Sequence, residues 1–180
     1  DGVVVPCQTD ENFMPDMSKL EACITEKTRA VLINSPHNPT GVVYSEEIIK
    51  GIAEVLDKKQ KELGRTLFLI ADEPYRELAY DGVEVPYVTK YYDNTFVVYS
   101  YSKSLSLPGE RIGYLVVPPA MEDSEFVFET VTAVNRISGA VNAPAIQQKL
   151  IGRCVDSKVN LEYYDRNRKA LYEGLTECGF

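Results

Sequence analysis

Three short polar clusters in this sequence each follow a run of apolar residues, and each contains a side chain with specific chemistry. Asn38 supplies an amide, Asp72 a carboxylate and Lys103 an amine. The apolar runs before them are typical of strands, and ligands of parallel sheets bind beyond the carboxyl ends of the strands. The clusters are therefore predicted to converge on one site, where the amine could form a Schiff base with a carbonyl compound.

Arg111 lies at the amino end of the next apolar run, 112–117, rather than at its carboxyl end. Roughly ten residues separate it from the preceding run, 96–99, which is too few for a helical crossover between parallel strands. The strand 112–117 is therefore predicted to run antiparallel to its neighbour. That direction returns Arg111 to the same edge of the sheet as the three polar clusters.

The combined set contains the groups that a phosphorylated pyridine aldehyde needs. Lys103 would hold the aldehyde as a Schiff base, and Ser100 and Arg111 would bind the phosphate, the arginine as a bidentate donor. The carboxylate of Asp72 would keep a pyridine nitrogen protonated, which makes the ring an electron sink. These requirements describe pyridoxal 5'-phosphate (PLP).

Four polar residues beside this set have different expected roles. Asn38 and Tyr75 could donate hydrogen bonds to a phenolate oxygen on the ring. His37 is the only histidine, and we expect it to pack or to support a neighbour. Glu73 is expected to point away from the site and to be structural, because successive strand residues face opposite sides.

The order of the apolar and amphipathic segments predicts the fold class. The runs 30–34, 67–71 and 96–99 are apolar without alternation, as in strands buried on both faces. Amphipathic segments lie between them and after them. The pattern predicts an α/β fold with a mostly parallel sheet, one antiparallel strand and helices on both faces.

Capping residues predict where several helices begin and end. Asp16 is expected to cap a helix that ends near Lys27, and Ser45 to cap one that ends at Gly64. Val3–Val5 is a short β-branched run before them. Three more helices are predicted over 120–135, over 143–155 with Asn142 as cap, and over 158–177.

Composition excludes several classes of protein. The 180 residues are 44% hydrophobic and 26% charged, average globular values that exclude disordered and fibrous chains. The net charge of −8 excludes nucleic acid and anionic membrane surfaces as natural partners. No apolar run approaches the roughly 18 residues of a membrane span.

The four cysteines are spread along the chain as Cys7, Cys23, Cys154 and Cys178, with no Cys-x-x-Cys pair. This spacing indicates neither a zinc site nor a dense disulfide framework. We expect idle thiols in a reducing compartment, and therefore a cytoplasmic protein.

Three ordered motifs make the sequence resemble the class I/II aminotransferases, the fold-type-I PLP enzymes similar to aspartate aminotransferase. They are the stretches 35–41 (Ser-Pro-His-Asn-Pro-Thr-Gly), 72–75 (Asp-Glu-Pro-Tyr) and 100–103 (Ser-Tyr-Ser-Lys) followed by 108–113. Asp72 and Tyr75 are three residues apart, as are Ser100 and Lys103, and eight residues separate Lys103 from Arg111.

The resemblance implies a role for each site residue. Lys103 would bind PLP covalently and later catalyse the 1,3-proton shift, while Asp72 would pair with the pyridine nitrogen. Tyr75 and Asn38 would bind the ring hydroxyl. Asn38 would also contact the substrate carboxylate, and the bond between Asn38 and Pro39 is expected to be cis.

The phosphate of PLP would be held at the other end of the site by Ser100 and Arg111, according to the same resemblance. Ser102 would add a phosphate contact that varies between subfamilies. No metal is expected.

The resemblance also suggests that the sequence is a piece of something larger, because family members are more than twice as long. The chain opens with Asp1 rather than Met and stops within a predicted helix. Residues 1–156 would be the central part of the PLP-binding large domain, and residues 157–180 the start of a helix leading to a small domain. The ring-stacking aromatic, part of the phosphate loop and the arginine that grips the substrate would lie outside the chain.

The implied function is transfer of an amino group between an L-amino acid and a 2-oxo acid by a homodimeric parent protein, with the isolated fragment inactive. Two alternatives remain open at this stage. A PLP-dependent carbon–sulfur β-lyase shares these motifs, and so does the non-catalytic, ligand-sensing domain of some transcription regulators. The substrate amino acid is not specified by these residues.

Overall fold

A computed structural model describes residues 2–180 and has a four-stranded sheet at its centre. The strands are β1 (Ala30–Asn34), β2 (Phe68–Asp72), β3 (Thr95–Ser100) and β4 (Gly113–Val116), and they are hydrogen-bonded in that order. β1, β2 and β3 run parallel, while β4 pairs antiparallel with β3. The predicted α/β class and the reversed last strand are confirmed.

The helices and short 3-10 turns occupy the connections and the end of the chain. The helices are α1 (Met17–Cys23), α2 (Glu46–Leu63), α3 (Tyr101–Ser104), α4 (Ser124–Ile137), α5 (Ala145–Cys154) and α6 (Leu161–Glu177). The 3-10 turns are Arg76–Leu78, Val88–Lys90 and Pro108–Glu110. Within residues 2–180, no helix is both long and apolar enough to cross a bilayer.

α2 forms where its capping residues predict it. The Ser45 hydroxyl accepts a hydrogen bond from the Ile48 amide at 3.4 Å, and Gly64 ends the helix in the left-handed region at φ +63°. Ile52 and Leu56, one turn apart, are fully buried. They join buried residues of β1 and β2 in the main hydrophobic core, so α2 covers one face of the sheet.

α1 begins as predicted but ends earlier. The Asp16 carboxylate accepts hydrogen bonds from the Ser18 and Lys19 amides, as expected of an N-cap. The helix ends at Cys23 rather than near Lys27, because Ile24 takes an extended conformation that places its side chain in the core.

All three of the later helices begin two to four residues after the predicted positions, α6 at Leu161 rather than at 158. Asn142 does not cap α5, because Pro144 is the residue that precedes its first turn. α4 begins at Ser124, since residues 118–123 form hydrogen-bonded turns after the two prolines.

Val3–Val5 forms no strand and is exposed to solvent.

The second half of the structure is packed much less tightly than the first. Every residue of β4 is exposed, and neither α4 nor α6 buries a single residue. The apolar side chains Phe126, Phe128 and Ile137 of α4 are more than half exposed. The core therefore lies between the sheet, α1 and α2.

Candidate active site

Asn34, the last residue of β1, connects two of the predicted site residues. Its Nδ2 donates to the backbone oxygen of Asp72 at 2.9 Å and to the carboxylate Oδ2 at 3.1 Å. Its Oδ1 accepts a hydrogen bond from the Asn38 amide at 2.8 Å. Sequence reasoning missed Asn34, although its place at the end of the strand that leads into the 35–41 motif could have indicated it.

Asn38 and Tyr75 lie together as predicted. Asn38 Nδ2 donates to the Tyr75 hydroxyl at 3.0 Å, which joins the loops after β1 and β2. The bond between Asn38 and Pro39 is cis, as expected, and so is the one between Ser35 and Pro36. His37 lies within 2.7 Å of the Thr40 hydroxyl through Nδ1, so it supports the loop.

Lys103 lies on the short helix α3, directly after β3. Its amine is 5.6 Å from the centre of the Tyr75 ring, which brings the third cluster to the other two. Ser100 caps α3, since its hydroxyl accepts a hydrogen bond from the Ser102 amide at 3.2 Å. The Ser100 hydroxyl also donates to that of Ser102 at 2.7 Å, so the two predicted phosphate-binding hydroxyls are adjacent.

Arg111 reaches the same edge through the antiparallel pairing of β4. Gly113 is the partner of Ser100 in the β3–β4 register, and the Tyr101 amide donates to the Ile112 carbonyl at 3.3 Å. The Arg111 guanidinium donates to the Pro108 carbonyl at 2.9 Å. Among residues 2–180 it makes no hydrogen bond to either serine, so only its backbone position matches the predicted phosphate site.

Gly113 permits this close approach of β4. A Cβ atom at this position would overlap the carbonyl oxygen of Tyr99 on β3. Glycine is therefore required where the strand that follows Arg111 meets the strand that precedes Lys103.

Glu73 and Arg76 form a buried ion pair behind Tyr75. The guanidinium donates to Glu73 Oε2 at 2.6 and 2.8 Å and to the carbonyls of Val85 and Pro86 at 2.8 and 2.9 Å. It also stacks 4.1 Å from the centre of the Tyr87 ring. Glu73 is thus structural, as expected, and sequence reasoning missed Arg76.

Asp72 is partly buried, so its carboxylate would be stabilised by a positively charged partner. Burial raises the pKa of this carboxyl group above its ordinary value, because the charged form loses solvation. A protonated ring nitrogen beside Asp72 would supply a positive charge that favours the ionised carboxylate. A carboxylate, an amine, two adjacent hydroxyls and two ring-hydroxyl donors together fit PLP, and no cluster within residues 2–180 could hold a metal ion.

A cleft of about 640 Å³ lies elsewhere, between the start of α2 and the segment 76–91, and contains none of the predicted site residues. Three of its charged side chains have polar partners of their own. Glu46 binds Lys50, Arg76 binds Glu73, and Glu77 accepts the Tyr99 hydroxyl. Because none of the predicted site residues lines this cleft, the candidate active site is the group of side chains at the open edge of the sheet.

Comparison with known proteins gives one consistent family. The sequence model of the family "Aminotransferase class I and II" matches residues 2–180. The chain is 31% identical to a probable aspartate/prephenate aminotransferase of Thermus aquaticus, covering 98% of this chain and 45% of that protein. It is also 31% identical to an aspartate aminotransferase of Thermotoga maritima, with 98% and 44% covered.

Solved structures agree with the sequence relatives. An aminotransferase from Eubacterium rectale superposes with a TM-score of 0.91 at 53% identity, over 96% of this chain and 44% of that one. N-succinyldiaminopimelate aminotransferase from Mycobacterium tuberculosis gives a TM-score of 0.80 at 29% identity, over 99% and 45%. The chain thus spans less than half the length of the proteins it matches. Its fold, its three motifs and these matches agree, and the chain belongs to the class I and II aminotransferase family.

Proposed function

We propose that this chain forms the PLP-binding part of an aminotransferase that moves an amino group between an L-amino acid and a 2-oxo acid. The observation that carries the proposal is the grouping of Asn38, Asp72, Tyr75 and Lys103 at one edge of the sheet. Membership of the family supports the same cofactor. When bound, PLP supplies an electron sink for the negative charge that develops on the substrate carbon.

Lys103 and Asp72 would have the two chemical roles. Lys103 would bind the cofactor covalently through Nζ, and the released amine would then move the proton of the substrate Cα. Asp72 would hold the proton on the ring nitrogen, and Asn34 keeps its carboxylate oriented. Because the carboxylate is already oriented before the reaction begins, it can stabilise the transition state without any reorientation of the protein.

The remaining residues would position the ring. Asn38 and Tyr75 would hold the ring hydroxyl, and the hydrogen bond between them fixes their relative orientation. Ser100, Ser102 and Arg111 would bind the phosphate. Exclusion of water and the grip on the substrate carboxylate depend on other parts of the site.

Covalent attachment of PLP is tested by borohydride reduction of the full-length protein and peptide mapping. The expected product is a pyridoxyl group on Lys103, which blocks trypsin there and yields the peptide 91–111. A label on any other lysine would contradict the assignment.

The role of Asp72 is tested by Asp72→Asn, with the exposed Asp156→Asn as control. The first variant should lose about 100-fold or more in kcat but still bind PLP, because the covalent and phosphate anchors remain. The control should keep the parent's kcat. Near-normal turnover by Asp72→Asn would refute the electron-sink role.

The substrate is proposed from the relatives' names. Two of them are named as aspartate or aspartate/prephenate aminotransferases, so aspartate with a 2-oxo acid acceptor is the first pair to assay. Coupled assays over a panel of amino acids would rank the donors. Activity with none of them would contradict the proposal.

We also propose that the protein works in the cytoplasm as a homodimer, with neither nucleic acid nor membrane as partner. The net charge of −8 supports the last point, because phosphates and anionic headgroups would repel it. Exposed apolar side chains on β4 and α4, among them Leu115, Phe126 and Phe128, support association with a protein surface. Light scattering of the full-length protein tests the dimer, and a monomer at micromolar concentration would contradict it.

A further inference from the structure

A side-chain hydrogen bond joins the turn that carries Tyr75 to the strand that leads to Lys103. The Tyr99 hydroxyl donates to Glu77 Oε2 at 2.8 Å. Glu77 lies two residues after Tyr75, and Tyr99 lies four residues before Lys103. No other side-chain hydrogen bond within residues 2–180 joins the segment 75–79 to the segment 99–104. The proposed reaction gives neither Tyr99 nor Glu77 a role.

Glu77 and Tyr75 belong to the same turn. The Leu78 amide donates to the Tyr75 carbonyl at 2.8 Å and closes a 3-10 turn around Glu77. The chain just before this turn is held to β3, since the Glu73 amide donates to the Val98 carbonyl at 2.9 Å. The contact of Glu77 holds the far part of the turn to the same strand, so a shift of Glu77 would also shift Tyr75.

Packing fixes the direction in which the Tyr99 hydroxyl points. Tyr99 is only 7% exposed. Its ring stacks on that of Tyr114, its partner in the β3–β4 register, with centroids 4.9 Å apart, and meets the Tyr101 ring edge-on at 5.4 Å. Burial raises the pKa of the Tyr99 phenol, so the hydroxyl remains a donor at neutral pH. The ring thus holds its hydroxyl toward Glu77.

The hydrogen bond between Asn38 and Tyr75 does not replace this contact. It joins Tyr75 to the loop after β1, and β1 lies on the opposite side of β2 from β3. Lys103 follows β3 directly. The separation between Tyr75 and Lys103 therefore depends on what holds the turn to β3, and the hydrogen bond from Tyr99 does so.

We propose that Tyr99 and Glu77 are positioning residues that set the place of the Tyr75 hydroxyl relative to Lys103. The inference rests on the proposed function, in which Tyr75 binds the ring hydroxyl of PLP and Lys103 binds its aldehyde carbon. The Lys103 amine is 5.6 Å from the centre of the Tyr75 ring, so one small cofactor would contact both. Small displacements of oriented groups are costly, so loss of the hydrogen bond should weaken PLP binding and slow turnover.

The test compares Tyr99→Phe with Tyr92→Phe in the full-length protein. Each variant keeps its ring and loses the hydroxyl of a buried tyrosine, but the Tyr92 hydroxyl donates to the Leu67 carbonyl, at the opposite end of the sheet. Tyr99→Phe should raise the dissociation constant of PLP and lower kcat, each by about 10-fold. Tyr92→Phe should lower the melting temperature and change neither. Equal effects of the two variants on PLP binding, or no effect of Tyr99→Phe, would overturn the proposal.

Substitutions of Glu77 separate the hydrogen bond from the charge. Glu77→Gln keeps a side-chain oxygen that can accept from Tyr99, so it should retain most of the parent's PLP affinity. Glu77→Ala should match Tyr99→Phe, and the double variant should lose little more, because both changes remove the same contact. If Glu77→Gln lost as much affinity as Glu77→Ala, the charge rather than the hydrogen bond would be responsible and the proposal would fail.

The absorbance of bound PLP distinguishes a failure of this inference from a failure of the proposed function. Tyr75→Phe should shift the pH at which this absorbance changes, because the hydroxyl that contacts the ring oxygen is lost. Tyr99→Phe should shift it in the same direction by a smaller amount. A shift in Tyr75→Phe alone would overturn the positioning role and leave the proposed function standing. No shift in either variant would contradict the proposed role of Tyr75 itself.

Discussion

α2 and α6 are helices of nearly equal length with opposite relations to the rest of the molecule. α2 has 18 residues and buries five of them, whereas α6 has 17 residues and buries none. Both have a side-chain N-cap, Ser45 for α2 and Asn160 for α6. The caps therefore do not distinguish the two helices, and the difference lies in the apolar stripe that α2 buries in the core.

α6 contacts the rest of the molecule mainly through polar and charged side chains. Arg168 binds Asp81 at 3.2 Å and lies 4.8 Å from the centre of the Tyr80 ring, and the hydroxyls of Tyr164 and Ser106 are 2.7 Å apart. Exposed polar contacts contribute little stability because water competes for them. We conclude that global stability resides in the half that carries Asn38, Asp72 and Tyr75.

The sharpest test of this contrast compares two arginine ion pairs. Arg76→Met should lower the free energy of unfolding by about 3 to 5 kcal/mol, because it leaves the buried Glu73 without its charge partner. Arg168→Met removes an exposed pair and should leave the main unfolding transition unchanged. Urea denaturation measures both, and equal losses would refute the contrast.

Truncation of one apolar side chain in each helix gives the next largest difference. Ile52→Ala in α2 should cost about 2 to 5 kcal/mol, since Ile52 is fully buried. Leu171→Ala in α6 should change stability by less than about 0.5 kcal/mol, because Leu171 is 66% exposed. A large effect of Leu171→Ala would show that α6 is packed against a partner surface.

The buried phenol of Tyr92 should make the folded chain less stable at high pH. Burial raises the pKa of Tyr92 to about 12 from its ordinary value of 10.0, and its hydroxyl donates to the Leu67 carbonyl at 2.6 Å. The folded state thus holds the phenol proton more tightly than the unfolded state, and this stabilisation is present below pH 10 and lost as the pH rises through 12.

Tyr92→Phe is the variant that tests this titration. It should cost about 1 to 3 kcal/mol at pH 8, because the Leu67 carbonyl loses its donor. The difference from the parent protein should shrink between pH 10 and 12. Denaturation curves measured across this range decide the point, and a constant difference would contradict the assignment.

The smallest expected effect comes from the two helix caps. Ser45→Ala should lower the free energy of global unfolding by about 1 kcal/mol. Asn160→Ala should instead increase amide hydrogen exchange in the first turn of α6 and leave the global transition in place. Hydrogen exchange resolved by residue distinguishes these outcomes.

Much of the framework could be predicted because its signals are local. Ser45 and Gly64 mark α2, and the short link before Arg111 predicts the antiparallel β4. The three motifs place Asn38, Tyr75 and Lys103 at one edge of the sheet, and the structure brings those three together.

The supporting residues could not be predicted, because their contacts depend on strand pairing and on the path of a loop. Asn34 contacts Asp72 on the neighbouring strand, and their sequence separation hides this pairing. Arg76 binds the Val85 and Pro86 carbonyls only because the loop folds back over it. Asn142 failed as a helix cap because the proline at 144 sets the start of α5.

Gly113 limits how this chain can change over evolutionary time. Any side chain there would push β4 away from β3, and Arg111 would move with it. Such a displacement would open the Arg111 end of the site but leave the hydrogen bond between Asn38 and Tyr75 intact. The two ends of the site can therefore change independently in evolution. Substitutions near Asn38 leave β4 in place, whereas a substitution at position 113 would displace it. We expect descendants of this sequence to vary at other positions of β4 before they vary at position 113.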